Sequence, residues 1–177
     1  MLDKIIFYLS LLALSFMVPI LLFANKHDST AETYVADKVN TFVNRSCATG
    51  IITSSEYEEM VNYIDATGIV YNIYLIHSNE KVSPTVREDG SVEYNSCDSF
   101  YEEYRNEEIY NVLFPENGDT DNKKYYLNEG DYLRVVVENK TSTLGRRLFG
   151  MITLGDGDAK SIMVSHGDYV GHEADVR

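Results

Sequence analysis

Between Ile5 and Ala24 the chain runs for twenty residues without a charge, I-I-F-Y-L-S-L-L-A-L-S-F-M-V-P-I-L-L-F-A. Asp3 and Lys4 precede the run, and Lys26 and Asp28 follow it. Coiled as a helix it is about 30 Å long, the thickness of a hydrocarbon core. Its six Leu, three Ile, three Phe and one Val favour insertion by roughly 4 to 8 kcal/mol at mid-membrane. The competing assignment is a cleaved signal peptide, whose apolar region is about 7 to 15 residues and ends in a small-x-small site. Leu22-Phe23-Ala24 and Ser29-Thr30-Ala31 could serve as such sites. The length of the run favours a retained anchor. Ser10 and Ser15 can bond their own helix backbone, and a kink at Pro19 is tolerated in a membrane helix.

Roughly 150 residues follow the run, enough for one domain with its own core. The net charge of −13 argues against nucleic acid and anionic lipid as partners of this soluble part. A short N-terminus ahead of a large domain predicts insertion with the N-terminus cytoplasmic and the head outside. The Lys and Arg flanks alone do not decide it.

Beyond the run, Ser29-Thr30-Ala31-Glu32 fits a capping box. Ala31, Val35, Val39, Phe42, Val43 and Ser46 recur at helical spacing up to Gly50, which predicts an amphipathic helix, either continuous with the span or restarted at Ser29. Thr53-Ser54-Ser55-Glu56 is a second capping box, followed by Tyr57, Met60, Val61 and Ile64 on one face and a stop at Gly68. Residues 69–76 read as a strand. Residues 82–86 and 92–94 flank a Gly turn as a hairpin. Residues 99–113 read as a short helix ended by Pro115, and residues 116–124 as a polar loop. Strands are expected at 124–127 and 132–138, joined as a hairpin through Asn128-Glu129-Gly130-Asp131. A short capped helix carrying Leu144, Leu148, Phe149 and Ile152 comes next, then a loop, a strand at 161–165 and a polar tail from Gly167. The fold class expected is α+β: a long N-terminal helix packed on a small, mainly antiparallel sheet. The expected divisions are an anchor over 1–27, an extension of the helix over 28–50 and an extracytoplasmic head over 51–177.

This layout resembles that of type IV pilin-like proteins, in which an apolar N-terminal helix continues into a globular head. Gly50-Ile51-Ile52-Thr53, Ile64-Asp65-Ala66-Thr67-Gly68, Asn128-Glu129-Gly130-Asp131-Tyr132 and Thr143-Leu144 through Arg147-Leu148-Phe149-Gly150 are similar to small pilin-like proteins of tight-adherence (Tad-type) pilus loci in Gram-positive bacteria. The resemblance implies a minor structural subunit, or an anchored accessory, of a pilus or secretion filament. Its partners would be the bilayer and other pilin-like subunits or assembly proteins. The chain departs from the prepilin pattern in two ways. It has no Gly or Ala immediately before Ile5 and no Glu inside the span, so Asp3 is the one acid near the start that could act as an assembly charge. The alternative function is a membrane-tethered extracellular binding domain that acts alone.

The search for chemistry points away from an enzyme and implies no cofactor. His166-Gly167-Asp168 with His172-Glu173 could ligate a metal, but a polar tail explains them as well. Asn117, Asp119, Asp121 and Asn122 resemble the opening of a calcium loop, with Gly missing at the sixth position and Glu129 displaced by one. Arg146 and Arg147 could touch lipid headgroups, or form a solvated helix face. Asn44-Arg45-Ser46 and Asn139-Lys140-Thr141 match a glycosylation acceptor pattern. Cys47 and Cys97 either pair or stand as free thiols; a bridge would close a loop of roughly fifty residues and contribute about 4 kcal/mol. Tyr34 and Ala36 lie off the main stripe and are candidates for a face left over for assembly. In lipid, helices associate through small and polar residues, which here are Ser10, Ala13 and Ser15, with Ser10 and Ala13 one turn apart.

Overall fold

The computed structural model describes residues 2–86, 92–115, 123–141, 143, 147–150 and 162–171. Its first element, α1, is one unbroken helix from Leu2 to Thr49. The span and the amphipathic stretch are therefore a single rod of 48 residues. The capping pattern at Ser29 starts nothing, because a residue inside a continuing helix needs no cap. Its neighbours Thr30 and Thr33 return their hydroxyls to the carbonyls one turn back, at Lys26 and Ser29. Gly50, at φ 66°, ends the rod, in the left-handed conformation that L side chains disfavour.

The rest follows in the order β1 (Ile51–Thr53), α2 (Ser54–Asp65), β2 (Tyr71–Val86), β3 (Val92–Arg105), α3 (Asn106–Leu113), β4 (Lys124–Tyr126), β5 (Tyr132–Asn139) and β6 (Met163–Tyr169). This is the expected α+β arrangement, a long apolar helix against small antiparallel sheets. The four-stranded sheet has the order β3-β2-β5-β6, and β1 pairs with β4 in a two-stranded sheet. Thr53 caps α2 as its capping box requires: the Glu56 amide donates to Thr53 Oγ1 at 3.2 Å. The Thr53 hydroxyl in turn donates to the Glu56 carboxylate at 2.9 Å.

Four expectations change. Residues 69–76 and 82–86 are not two strands but parts of β2, which is continuous from Tyr71 to Val86. Residues 99–105 are strand rather than helix, because they pair with β2 from Ser99 opposite Val82 to Arg105 opposite Ile76. Cross-strand hydrogen bonds outweigh a weak helical period there. The helix starts at Asn106, where the Arg105 amide donates to Glu108 Oε2 at 2.9 Å. Residues 124–127 and 132–138 do not form a hairpin: β4 joins β1, whereas β5 sits between β2 and β6. Gly130, at φ 88°, lies in the connection between the two sheets. The last strand runs past Ser165 to Tyr169, so His166, Gly167 and Asp168 belong to the sheet and not to a tail. Residues 147–150 are helical, within the expected short helix. The turn at 87–91, the loop at 116–122 and residues 151–161 lie outside the described residues.

The core forms where the stripe of α1 meets one face of the large sheet. Val35, Val39, Phe42 and Val43 are buried together with Leu75, Leu133, Val135, Val137 and Val164. Alternation along the strands decides which side chains face inward, since Leu75 stands opposite Val135 and Ile73 opposite Val137. Full burial of a Val or Phe side chain stabilises by about 1.5–3 kcal/mol before entropy is counted. α2 and α3 close the edges with Met60, Ile64, Ile109 and Leu113. On the outer face, Gly167 lies beneath the Tyr132 ring, where a Cβ would meet Tyr132 Cζ at 2.7 Å. That ring also tilts against Tyr169, with centroids 4.9 Å apart.

Candidate functional site

Two features are exceptional for a small domain: an apolar rod outside the core, and a polar cluster inside it. Residues 3–20 are exposed on every side of α1, with Leu9 67% and Phe16 65% accessible. The most apolar 18-residue window has mean hydropathy 2.5, and none of it is buried. This one N-terminal helix is thus long and apolar enough to cross a membrane. A water-exposed apolar surface of that size would be unfavourable.

The residues expected to pack helices within the membrane all lie on this exposed section. The Ser10 hydroxyl returns to the Phe7 carbonyl at 2.8 Å, which makes it compatible with an apolar setting. Ser10 and Ala13, three residues apart, share a strip. Ser15 is turned well round the helix from it, since each residue advances about 100°. Asp3 is exposed in the first turn of α1, where the helix dipole favours an anion.

Further along, the buried stripe is that of the sequence: Ala31, Val35, Val39, Phe42, Val43 and Ser46 are all buried. Tyr34 is 37% exposed, and the Lys38 ammonium stands 5.3 Å from its ring and 5.0 Å from that of Tyr63. Ala36 is not left over for a partner, because it packs against the core. Arg45 Nε meets Glu56 Oε1 at 2.8 Å, tying α1 to the start of α2.

The polar cluster joins the two sheets. His77 on β2 and Asp131 at the entry to β5 are each 3% exposed, and His77 Nε2 lies 2.7 Å from Asp131 Oδ2. His77 Nδ1 lies 2.8 Å from the Tyr125 hydroxyl on β4. With the proton on Nε2, the imidazole donates to the carboxylate and accepts from the phenol, so every group is satisfied. The same Asp131 oxygen accepts the Asn128 amide at 2.7 Å. The Tyr104 ring stacks on His77 at 5.4 Å. Burial first, then the neighbouring Tyr104, Asp131 and Glu108, pushes the Tyr125 phenol well above its ordinary range. An aspartate orienting a histidine supplies two of the three members of a catalytic triad, but here the third partner is the half-buried phenol of Tyr125. His77 and Asp131 are buried, and the cluster ties β4 to the large sheet. No motif announced it; the one available signal was a His at an inward position of a strand, which needs a buried partner.

The remaining candidates are dispersed. His166 faces Asn44, with Nε2 3.3 Å from Oδ1, and Asp168 Oδ1 accepts the Tyr169 amide at 2.8 Å. Among the described residues no three His, Cys, Asp or Glu side chains come together as a metal site. His172, Glu173, Asn117, Asp119, Asp121, Asn122 and Arg146 lie outside the described residues, and Glu129 is exposed. Asn139 is buried and its amide donates to the Thr141 carbonyl at 2.9 Å, whereas Asn44 is exposed and donates to Asn40 at 2.7 Å.

The bridge between Cys47 and Cys97 is not formed. Cys47 is a free, buried thiol that donates to the Asp168 carbonyl at 3.4 Å. Asp168 pairs with Leu133 and Leu133 with His77, whereas Cys97 pairs with Pro84, seven residues further along β2. That is roughly 20 Å at strand rise, far beyond disulfide reach. Burial first, then the Asp168 charge, pushes the Cys47 thiol up to about 11, against a smaller lowering by a backbone hydrogen bond at Leu133. The β2–β3 pair continues past Ser78, where β5 stops, as a two-stranded ribbon. Near its base, Tyr74, Glu103, Arg105, Glu107, Glu108 and Arg134 border a groove of about 780 Å³.

No family model matches this chain, and no curated protein or solved structure matches it.

Proposed function

We propose that the chain is a membrane-anchored, pilin-like structural subunit, a minor component of a type IV or Tad-like pilus or secretion filament, and that it performs no catalysis. The observation that carries this reading is the unbroken α1, whose N-terminal part is exposed and apolar while its C-terminal part is the spine of the head. Such a rod transmits position rigidly from membrane to head, as filament packing requires. Its N-terminus is cytoplasmic and its head extracytoplasmic, where it takes part in surface assembly or adhesion. Partner helices meet it at Ser10 and Ala13, where a small strip permits close approach.

The test is disulfide crosslinking within the membrane from Leu9→Cys or Leu12→Cys, in cells expressing the surrounding assembly genes, together with analysis of sheared filaments. Crosslinked species that disappear in the Ala13→Leu background, together with the protein in the sheared fraction, are expected. A monomer-only pattern would refute assembly. It would leave the second reading, a tethered binding domain acting alone, which the absence of an acid within the span favours.

A further inference from the structure

The buried stripe of α1 does not stop where the apolar run stops. Ala31 and Ala24 are 6% and 5% exposed, with Asp28 half-buried between them and Leu21 half-buried one turn below. Counted from Ile5 at helical rise, a hydrocarbon core of about 30 Å ends at Ala24. The part of α1 left bare on every face, residues 5–20, covers only about 24 Å of it. Protein therefore covers one face of the rod, at Leu21 and Ala24, at a depth where the bilayer has not yet ended, while Leu22 and Phe23 stay exposed on the other faces.

The segment 147–150 belongs to this end of the head. Arg147 lines the same cavity as His27, Asp28, Thr67 and Thr143, one turn above Ala24, and its amide donates to the Thr143 carbonyl at 3.0 Å. Two residues on, Phe149 is 51% exposed. The sheet leads the other way. Tyr71 at the start of β2 lies within the electrostatic reach of Asp28 and Glu32. The row through His77, Leu133 and Asp168 reaches Cys47 near the far end of the rod. Phe100, opposite Lys81 on the ribbon, is further out still.

We propose that the 147–150 segment is an interfacial foot, which seats the base of the head in the acyl–headgroup boundary of the bilayer that α1 spans. Phe149 enters the boundary, and Arg147 and Lys26 extend their cationic ends to the phosphate level while their stems lie along apolar surface. The inference rests on the reading of α1 as a membrane span. The head is then held at a fixed height and orientation, rather than swinging on a bare stalk.

The chain contains no Trp, so single Trp substitutions report depth without interference. Full-length Phe149→Trp, Phe16→Trp and Phe100→Trp proteins are reconstituted in phosphatidylcholine vesicles whose acyl chains are brominated either near the headgroup or near the tail. The Phe149→Trp protein should lose most of its emission to the shallow bromines and little to the deep ones, with a blue-shifted maximum. The Phe100→Trp protein should lose none. Equal insensitivity of the Phe149→Trp and Phe100→Trp proteins, while the Phe16→Trp protein is quenched, overturns the foot and leaves the anchor standing. Insensitivity of all three overturns the anchor and the foot together. Circular dichroism of each protein, matched to the parent, excludes misfolding as the cause.

Discussion

The pair between His77 and Asp131 gives the sharpest test of what holds the head together. Both side chains are 4% accessible and 2.7 Å apart. Replacing His77 by Leu leaves the Asp131 carboxylate buried with the Asn128 amide as its remaining partner among the bonds described, and strips the Tyr125 phenol of its acceptor. Removing one member of a buried pair costs about 3–5 kcal/mol, because the other charge is left uncompensated. That corresponds to a rise of roughly two to four powers of ten in the unfolding constant. Asp131→Ala leaves the imidazole N–H and the Asn128 amide without their acceptor, at about 1–3 kcal/mol each. The double variant, His77→Leu with Asp131→Ala, removes both halves. Its remaining penalties are the unpaired phenol and the unpaired Asn128 amide, about 1–3 kcal/mol each. The two substitutions are therefore expected to be strongly non-additive, with a coupling energy of at least ~2 kcal/mol. The assay is urea unfolding of the full chain in detergent micelles, followed by tyrosine fluorescence and near-ultraviolet circular dichroism. Single substitutions costing under about 1 kcal/mol, or a double variant equal to the sum of the singles, would refute the view that this pair is a desolvated, mutually dependent stitch between the sheets.

Two further outcomes concern smaller features. Thr53→Ala removes the acceptor for the Glu56 amide at the start of α2 and should lower stability by about 0.5–2 kcal/mol in the same unfolding experiment, with Thr53→Ser retaining most of it. Cys47, buried with its thiol raised to about 11, should resist alkylation at neutral pH until the protein is denatured. The raised folded value also means that its contribution to stability is complete below the ordinary thiol value of 9.0 and is lost as pH rises towards 11. A Cys47→Ala protein should show a shallower loss of stability over that interval; an identical pH profile for both proteins would contradict this.

The sequence determined what neighbouring residues can settle among themselves. A run of twenty predominantly apolar, uncharged residues is long enough as a helix to span a membrane, and the 3.6-residue recurrence from Ala31 to Ser46 fixed which face of α1 is buried. Thr53 and Glu56 close a hydrogen-bonded ring spanning four residues, so the start of α2 was legible from four letters. Tertiary structure decided what depends on partners far away in the chain. Ser99 to Arg105 became strand because β2 was there to pair with it. β4 left β5 because Ile51 to Thr53, more than seventy residues earlier, offered it an edge. Cys47 stayed unbridged because the β2–β3 ribbon carries Cys97 away from it. The candidate site divides in the same way. The rod was readable as a local property of composition. The cluster of His77, Tyr125 and Asp131 was not, since its members are 48 and 54 residues apart, and the free energy of satisfying a buried imidazole depends on which groups the fold delivers to it.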